Sequence, residues 1–197
     1  AGKLTATVTV DGAVSTATQV ATVGTTPVVQ PSSAFLAAKA GFLTITGTGF
    51  DPVATNNTVT LSSGSAIVVA ATAEALTMQF TQQPRAGLLK AVVVSDAIAG
   101  TQATVATVYA TVASKTGSLQ AIAKTLTILG AGFDASTPGN NVVALSSGVG
   151  TVTKATATSL TLTFTQAPTP GPLTATVVVD GISNPGVLPA QVATIVP

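Results

Sequence analysis

The sequence predicts an all-β protein built from tandem antiparallel sandwiches, and three observations carry that expectation. The chain repeats itself: "NNTVTLSSG" (56–64) returns as "NNVVALSSG" (140–148), "LTMQFTQQP" (76–84) as "LTLTFTQAP" (160–168), and "GLLKAVVVSD" (87–96) as "GPLTATVVVD" (171–180). The offset in each pair is 84 residues (140 less 56, 160 less 76, 171 less 87). A unit of that length exceeds most solenoid repeats and can enclose its own core. Within the repeats apolar and polar residues alternate. Leu76, Met78 and Phe80 interleave with Thr77, Gln79 and Thr81, and Leu160, Leu162 and Phe164 with Thr161, Thr163 and Thr165. Period two in a β-branched background marks half-buried strands. Third, no segment sustains a capped helical period; "AEAL" (73–76) comes closest and is too short.

Taken in order, residues 1–25 contain "GKLTATVTVDG" (2–12), which returns as "GPLTATVVVDG" (171–181) near the end of the last unit. Nothing like the "GxGF" phrase precedes the first copy, so this segment reads as the C-terminal strands of a preceding repeat. Its apolar face (Leu4, Ala6, Val8 and Val10) needs cover, because an isolated two-stranded hairpin is marginal in water. The expectation is a slice of a longer polypeptide, ahead of the other arrangement, a hairpin that completes a neighbouring subunit. Two complete units follow, 26–109 and 110–197, with the turn-rich stretches "GTTPVVQPSS" and "YATVASKTGS" at the junctions. Each unit holds about seven short strands separated by Gly, Pro, Asn and Asp, which suits an immunoglobulin-like sandwich. The fold class is therefore tandem immunoglobulin-like β-sandwiches, two complete, plus the last two strands of a preceding one. Two separate cores are expected, one around Phe50 and Phe80, the other around Phe133 and Phe164. The glycines of "GTGF" (47–50) and "GAGF" (130–133) end a strand where backbone turns sharply or nears another strand, letting Phe fold back. Residues 95–101, "SDAIAGT", lack the "DG" of the other copies, and a longer turn is expected there.

The phrases "LTITGTGFD" (43–51), "NTVTL" (57–61) and "VVVDGISNP" (177–185) resemble the immunoglobulin-like fold shared by plexins and transcription factors, the IPT/TIG family. The resemblance covers both complete units, and residues 1–25 match the family's final two strands. It implies an immunoglobulin-like sandwich and no particular activity. Members within DNA-binding proteins carry basic loops that this chain lacks. Extracellular members occur in receptors, in surface adhesins and as spacers in secreted enzymes, and low charge with threonine-rich faces matches that group.

Composition narrows the function classes. Only 7% of residues are charged, and seven bases against six acids leave a net charge of +1. No field exists to recruit nucleic acid. The chain has no histidine and no cysteine, which removes the commonest general base, thiol nucleophiles, disulfides and thiolate zinc sites. Apolar runs such as "AIVVAA" (66–71) fall far short of the roughly 20 residues of a spanning helix. The opening alternation of Thr and Val is not a signal peptide. Threonine, 36 of 197 residues, supplies the missing polarity while keeping strand propensity high. Such a surface suits a protein packed in an assembly or coated with glycan.

The acids are not scattered. Asp51 and Asp134 each follow the "GF" phrase, while Asp11, Asp96 and Asp180 sit at the last hairpin of their copies. In an immunoglobulin-like topology those two turns share one end of the sandwich, the end that receives the preceding unit. Asp51 with Asp96, and Asp134 with Asp180, are thus expected to approach each other near a junction. Two carboxylates with carbonyls can hold calcium weakly, which makes these four the metal candidates. The preferred reading is that Asp accepts backbone N–H bonds in turns. No other cofactor is expected. Carboxylate pairs also serve acid–base chemistry, but with no Trp, no His and the single Tyr109, nothing orients a substrate; no catalytic residue is assigned and no enzyme is expected. Ser62-Ser63-Gly64 and Ser146-Ser147-Gly148 read as turns, since a serine nucleophile needs a base. The glycine phrases lack the following helix and Lys of a phosphate loop. Asn56-Asn57-Thr58 is a glycosylation sequon, with Asn56 the acceptor in a eukaryotic secretory protein and a turn residue otherwise.

These readings converge on a non-enzymatic structural module of an extracellular or cell-surface filament, stalk or adhesin. Its partners would be neighbouring repeats of the same polypeptide or assembly, with glycans on exposed Thr and Ser. The competing expectations are an adhesive surface module for carbohydrate or protein, and an accessory domain of a secreted enzyme. Thr-x-Thr ladders give the former its look, but any half-exposed strand alternates that way.

Overall fold

The computed structural model describes residues 2–183, 186 and 188–197, so Asn184 and Pro185 of the "VVVDGISNP" phrase lie outside the described residues. The protein is all-β, a tandem of immunoglobulin-like sandwiches. A hairpin comes first: β1 (Gly2–Ala6) pairs antiparallel with β4 (Thr18–Val23). Beyond them β2 (Thr9–Val10) pairs with β3 (Ala13–Val14) across the Asp11-Gly12 turn.

The first sandwich comprises β5 (Val28–Val29), β6 (Phe35–Ala37), β7 (Phe42–Thr48), β8 (Asn57–Leu61), β9 (Ser65–Ala71), β10 (Ala75–Gln82), β11 (Gly87–Ser95), β12 (Ile98–Ala99) and β13 (Ala103–Tyr109). One sheet runs β5-β7-β10-β9; in the other, β11 lies between β13 and β8, with β6 outside β13. Since β5 is antiparallel to β7 and β6 is parallel to β13, the chain changes sheets between them. The second sandwich repeats the plan with β14 (Thr111–Val112), β15 (Ser118–Gln120), β16 (Thr125–Ala131), β17 (Asn141–Leu145), β18 (Val149–Ala155), β19 (Ser159–Gln166), β20 (Gly171–Val179) and β21 (Ala190–Val196). Its sheets run β14-β16-β19-β18 and β15-β21-β20-β17.

Alternation places the core as the sequence requires: Leu76, Met78 and Phe80 are buried on β10, Leu160 and Leu162 on β19, and Leu173, Ala175, Val177 and Val179 on β20. Phe50 and Phe133 fold back over Gly47 and Gly130, where a Cβ would strike the Phe ring and the carbonyl of Val28 or Thr111. One expectation changes in part. Phe164 packs against the second core but is only half-buried, because Gly150 stands opposite it where Ala66 stands opposite Phe80. The cores form two distinct clusters, and each takes one residue from the other unit: Ala131 packs into the first and Ala86 into the second.

The turn at 95–101 is also not longer. Ser95 pairs with Ile98, leaving a two-residue turn, Asp96-Ala97, with φ of 50° and 64°. Positive φ at both positions matches the right-handed twist of the flanking strands, and Gly normally takes the second. Gly12 and Gly181 do so in the other copies; Ala97 carries the steric cost. Ala97→Gly should stabilise the first sandwich by roughly 0.5–1 kcal/mol, about 3–5 °C in melting temperature. A thermal melt showing no gain or a loss would mean the alanine is unstrained.

All three copies share one hairpin register. Leu4 pairs with Ala21 and Thr5 with Gln19; Leu89 with Ala106 and Lys90 with Thr104; Leu173 with Ala193 and Thr174 with Gln191. Each skips one valine, so β1/β4, β11/β13 and β20/β21 carry the same bulge. Val105 and Val192 are buried, whereas Val20, Leu4, Val8 and Val10 are exposed.

Candidate functional site at the junction between units

The junction of the two sandwiches has almost no linker. Tyr109 ends β13 and Thr111 begins β14, so the turn-rich look of "YATVASKTGS" gives way to strands meeting at Ala110. Across the joint, the N–H of Ala86 donates to the carbonyl of Gly132 at 3.0 Å. Gly132, at φ +82°, lies against Ala38, Ala110 and Ala86, and a Cβ there would collide with the Ala38 methyl. Ala38, Ala86, Ala110 and Gly132 are all buried.

The loop after β16 is clasped by one side chain. Asn141 accepts from the N–H of Asp134 at 2.8 Å and donates to the carbonyls of Asp134 (2.9 Å) and Pro138 (3.1 Å). Its burial is tolerated because its polar atoms are paired. The same device appears in the first unit, where Asn57 accepts from the N–H of Asp51 and donates to the carbonyls of Asp51 and Val53.

Asp134 is the most enclosed charge of the site, 1% exposed. Oδ1 accepts from the N–H and hydroxyl of Ser136 and the N–H of Thr137; Oδ2 accepts from Asn140 Nδ2 at 2.8 Å and Arg85 at 3.0 Å. The Ser136 hydroxyl is the main force holding this carboxyl well below the usual range; burial opposes it, and Asn140 and the two N–H groups add to it. Arg85 also reaches Asp180 Oδ2 at 3.7 Å. Arg85 is the chain's single arginine, half-exposed on the turn between β10 and β11. It spans the joint to hold both carboxylates of the next unit.

The expected carboxylate pairing therefore has a definite form at Asp134 and Asp180: the shared cation is a guanidinium, and calcium would have to displace it. At the other end, the N–H of Asp96 donates to the Asn56 carbonyl at 3.1 Å, as that of Asp180 does to Asn140 at 3.2 Å. Asp51 accepts from the N–H of Val53 at 2.6 Å, and this bond, then Asn56, lowers its carboxyl. Among the described residues no cation pairs with Asp51 or Asp96, and no three acidic residues cluster as a metal site. Asn56 is exposed in a short 3-10 turn (Ala54–Asn56), beside the buried Asn57. Sequence reasoning missed Arg85 and the clasping Asn57 and Asn141. The signals were a lone arginine at a unit's end, and a duplicated "NN" whose second member starts a strand in both copies.

No family model matches the chain, and no curated protein matches it. Solved structures similar to it include the plexin A4 extracellular region, at 16% identity over 84% of this chain and 18% of that one, TM-score 0.34. Domains 4–9 of the surface layer protein SbsC give 15% identity over 96% and 34%, TM-score 0.30. The Escherichia coli adhesin FdeC gives 18% over 100% and 74%, TM-score 0.28. The chain thus spans a minor part of the first two. Among the described residues no helix is long and apolar enough to cross a membrane.

Proposed function

We propose that the chain is a non-enzymatic structural module of an extracellular or cell-surface filament, stalk or adhesin, made of IPT/TIG-like units at 26–109 and 110–197. The joint carries this reading. Two sandwiches linked by a free tether would transmit no bending moment, but these are locked by buried small residues, a backbone hydrogen bond and the Arg85 clamp. Strand β13 runs into β14 through one residue, so a pull on one unit passes to the next through backbone. The activity is mechanical: spacing and stiffness.

Residual dipolar couplings test it. The intact chain should align as a single body across both sandwiches. In Arg85→Ala each sandwich should keep its own fold, the second melting somewhat lower because the buried Asp134 loses its cation, while the couplings need two separate alignment tensors. If the intact chain already needs two, the units are loosely jointed and the spacer reading fails.

A further inference from the structure

The two sandwiches share a backbone plan but differ on one outer surface. In both, a seven-residue strand lies at the edge of the first sheet: among the described residues β9 (Ser65–Ala71) pairs with β10 alone and β18 (Val149–Ala155) with β19 alone. Their registers match residue for residue, down to the bulge that skips Val69 in one and Thr153 in the other. The side chains do not match. The outward row across the first sheet is Phe42, Gln79 and Ile67; the same row in the second is Thr125, Thr163 and Thr151. On the edge strand itself Ile67, Val69 and Ala70 stand where β18 has Thr151, Thr153 and Lys154. Thr153 turns its hydroxyl back onto Thr161 and Thr163, whereas Phe42, Ile67 and Val69 leave 55%, 54% and 42% of their surface open. Charge is one of the devices that protect a free strand edge from pairing. Of these two long edges, β18 carries a charge and β9 carries none.

We propose that β9 is a lateral docking edge and that its occupant is β9 of a second copy of this chain, laid antiparallel across a two-fold axis so that two four-stranded sheets continue into one another. Three observations choose that partner. The free side of β9 offers backbone N–H and C=O groups in alternation, which an extended strand pairs along its length. The edge is also its own complement. A second β9 brings no charge to it, whereas β18 of another copy would bring Lys154 onto the apolar strip. Finally, a net charge of +1 on 197 residues leaves nothing at long range to hold two copies apart. The two-fold places Ile67 and Phe42 of both copies on one face, merging two exposed apolar patches, and closes the assembly at two. Seven residues span about 23 Å. That is a small interface, so the association is weak and reversible. It acts sideways between chains, where the joint held by Arg85 acts along one, and so lies beyond the spacer reading.

Sedimentation equilibrium of the natural chain should show a monomer–dimer equilibrium between about 10 µM and 1 mM, where interfaces this small associate. The variant Ile67→Thr/Val69→Thr/Ala70→Lys gives β9 the residues that β18 already carries on the same backbone. It should fold as before by circular dichroism and dimerise at least about tenfold more weakly. A natural chain that stays monomeric throughout overturns the proposal, as does a variant that dimerises as well as the natural chain. A second measurement fixes the geometry. The chain has no cysteine, so single-cysteine variants from Ala66→Cys through Ala70→Cys can be oxidised one at a time. Antiparallel two-fold pairing sets one residue opposite its own copy, within the reach of a disulfide. Covalent dimer should form fast at that position and slowly at the others. Equal rates at every position, or no dimer at any, would overturn the edge pairing. Neither experiment touches how the two sandwiches of one chain align, so failure here and failure of the spacer reading are told apart.

Discussion

Phe133→Ala is expected to destabilise the second sandwich by about 3–5 kcal/mol, the usual cost of emptying a buried aromatic site. The site cannot close over the cavity. Gly130 beneath the ring is pinned against the Thr111 carbonyl, and the next residue, Asp134, is fixed by its hydrogen bonds. A unit of this size has total stability of roughly 5–10 kcal/mol, so calorimetry of the variant should resolve two transitions, which in the natural chain are expected to lie close together. The one from residues 26–109 should move little, because only Ala131 intrudes from the second unit into its core. A single transition that drops as a whole would mean that the sandwiches fold as one cooperative body.

Asp134→Ala should cost about 2–4 kcal/mol at neutral pH, since it strips the acceptor from donors on Ser136, Thr137, Asn140 and Arg85 and leaves a cation facing the joint. The effect has a definite pH signature. The folded carboxyl titrates below its ordinary value of 3.8, so in acid the unfolded chain binds the proton first. Its stabilisation is complete above pH of about 4 and is lost as pH falls toward the folded value. Urea unfolding should show a wide gap between natural chain and variant at pH 7 that narrows steadily below about pH 4. A gap independent of pH would mean that the side chain's shape, not its charge, holds the loop.

Much of this was legible because sandwiches impose a period of two. Leu76-Thr77-Met78 and Leu160-Thr161-Leu162 could only bury one face, and "GTGF" and "GAGF" could only fold Phe onto glycine. The hairpin at 2–23 was recognisable by its twin at the far end. Failures came where the deciding partner lies far along the chain. Ala97 looked wrong for a tight turn, yet strand pairing at Val94 and Ser95 fixes the geometry and the alanine yields. Phe164 looked equal to Phe80 until the residue opposite proved to be Gly150. The carboxylate pair at Asp134 and Asp180 was anticipated, but its cation was not, because Arg85 belongs to the other unit and nothing local marks it as aimed there.

The ion pairs found among the described residues both belong to Arg85. The exposed lysines enter no ion pair among the described residues, whereas the half-exposed arginine and Asp180 form a contact that dissolved electrolyte can screen directly. Salt therefore acts on a specific pairing at one address in the molecule, the seam between two blocks, more than on the interior of either.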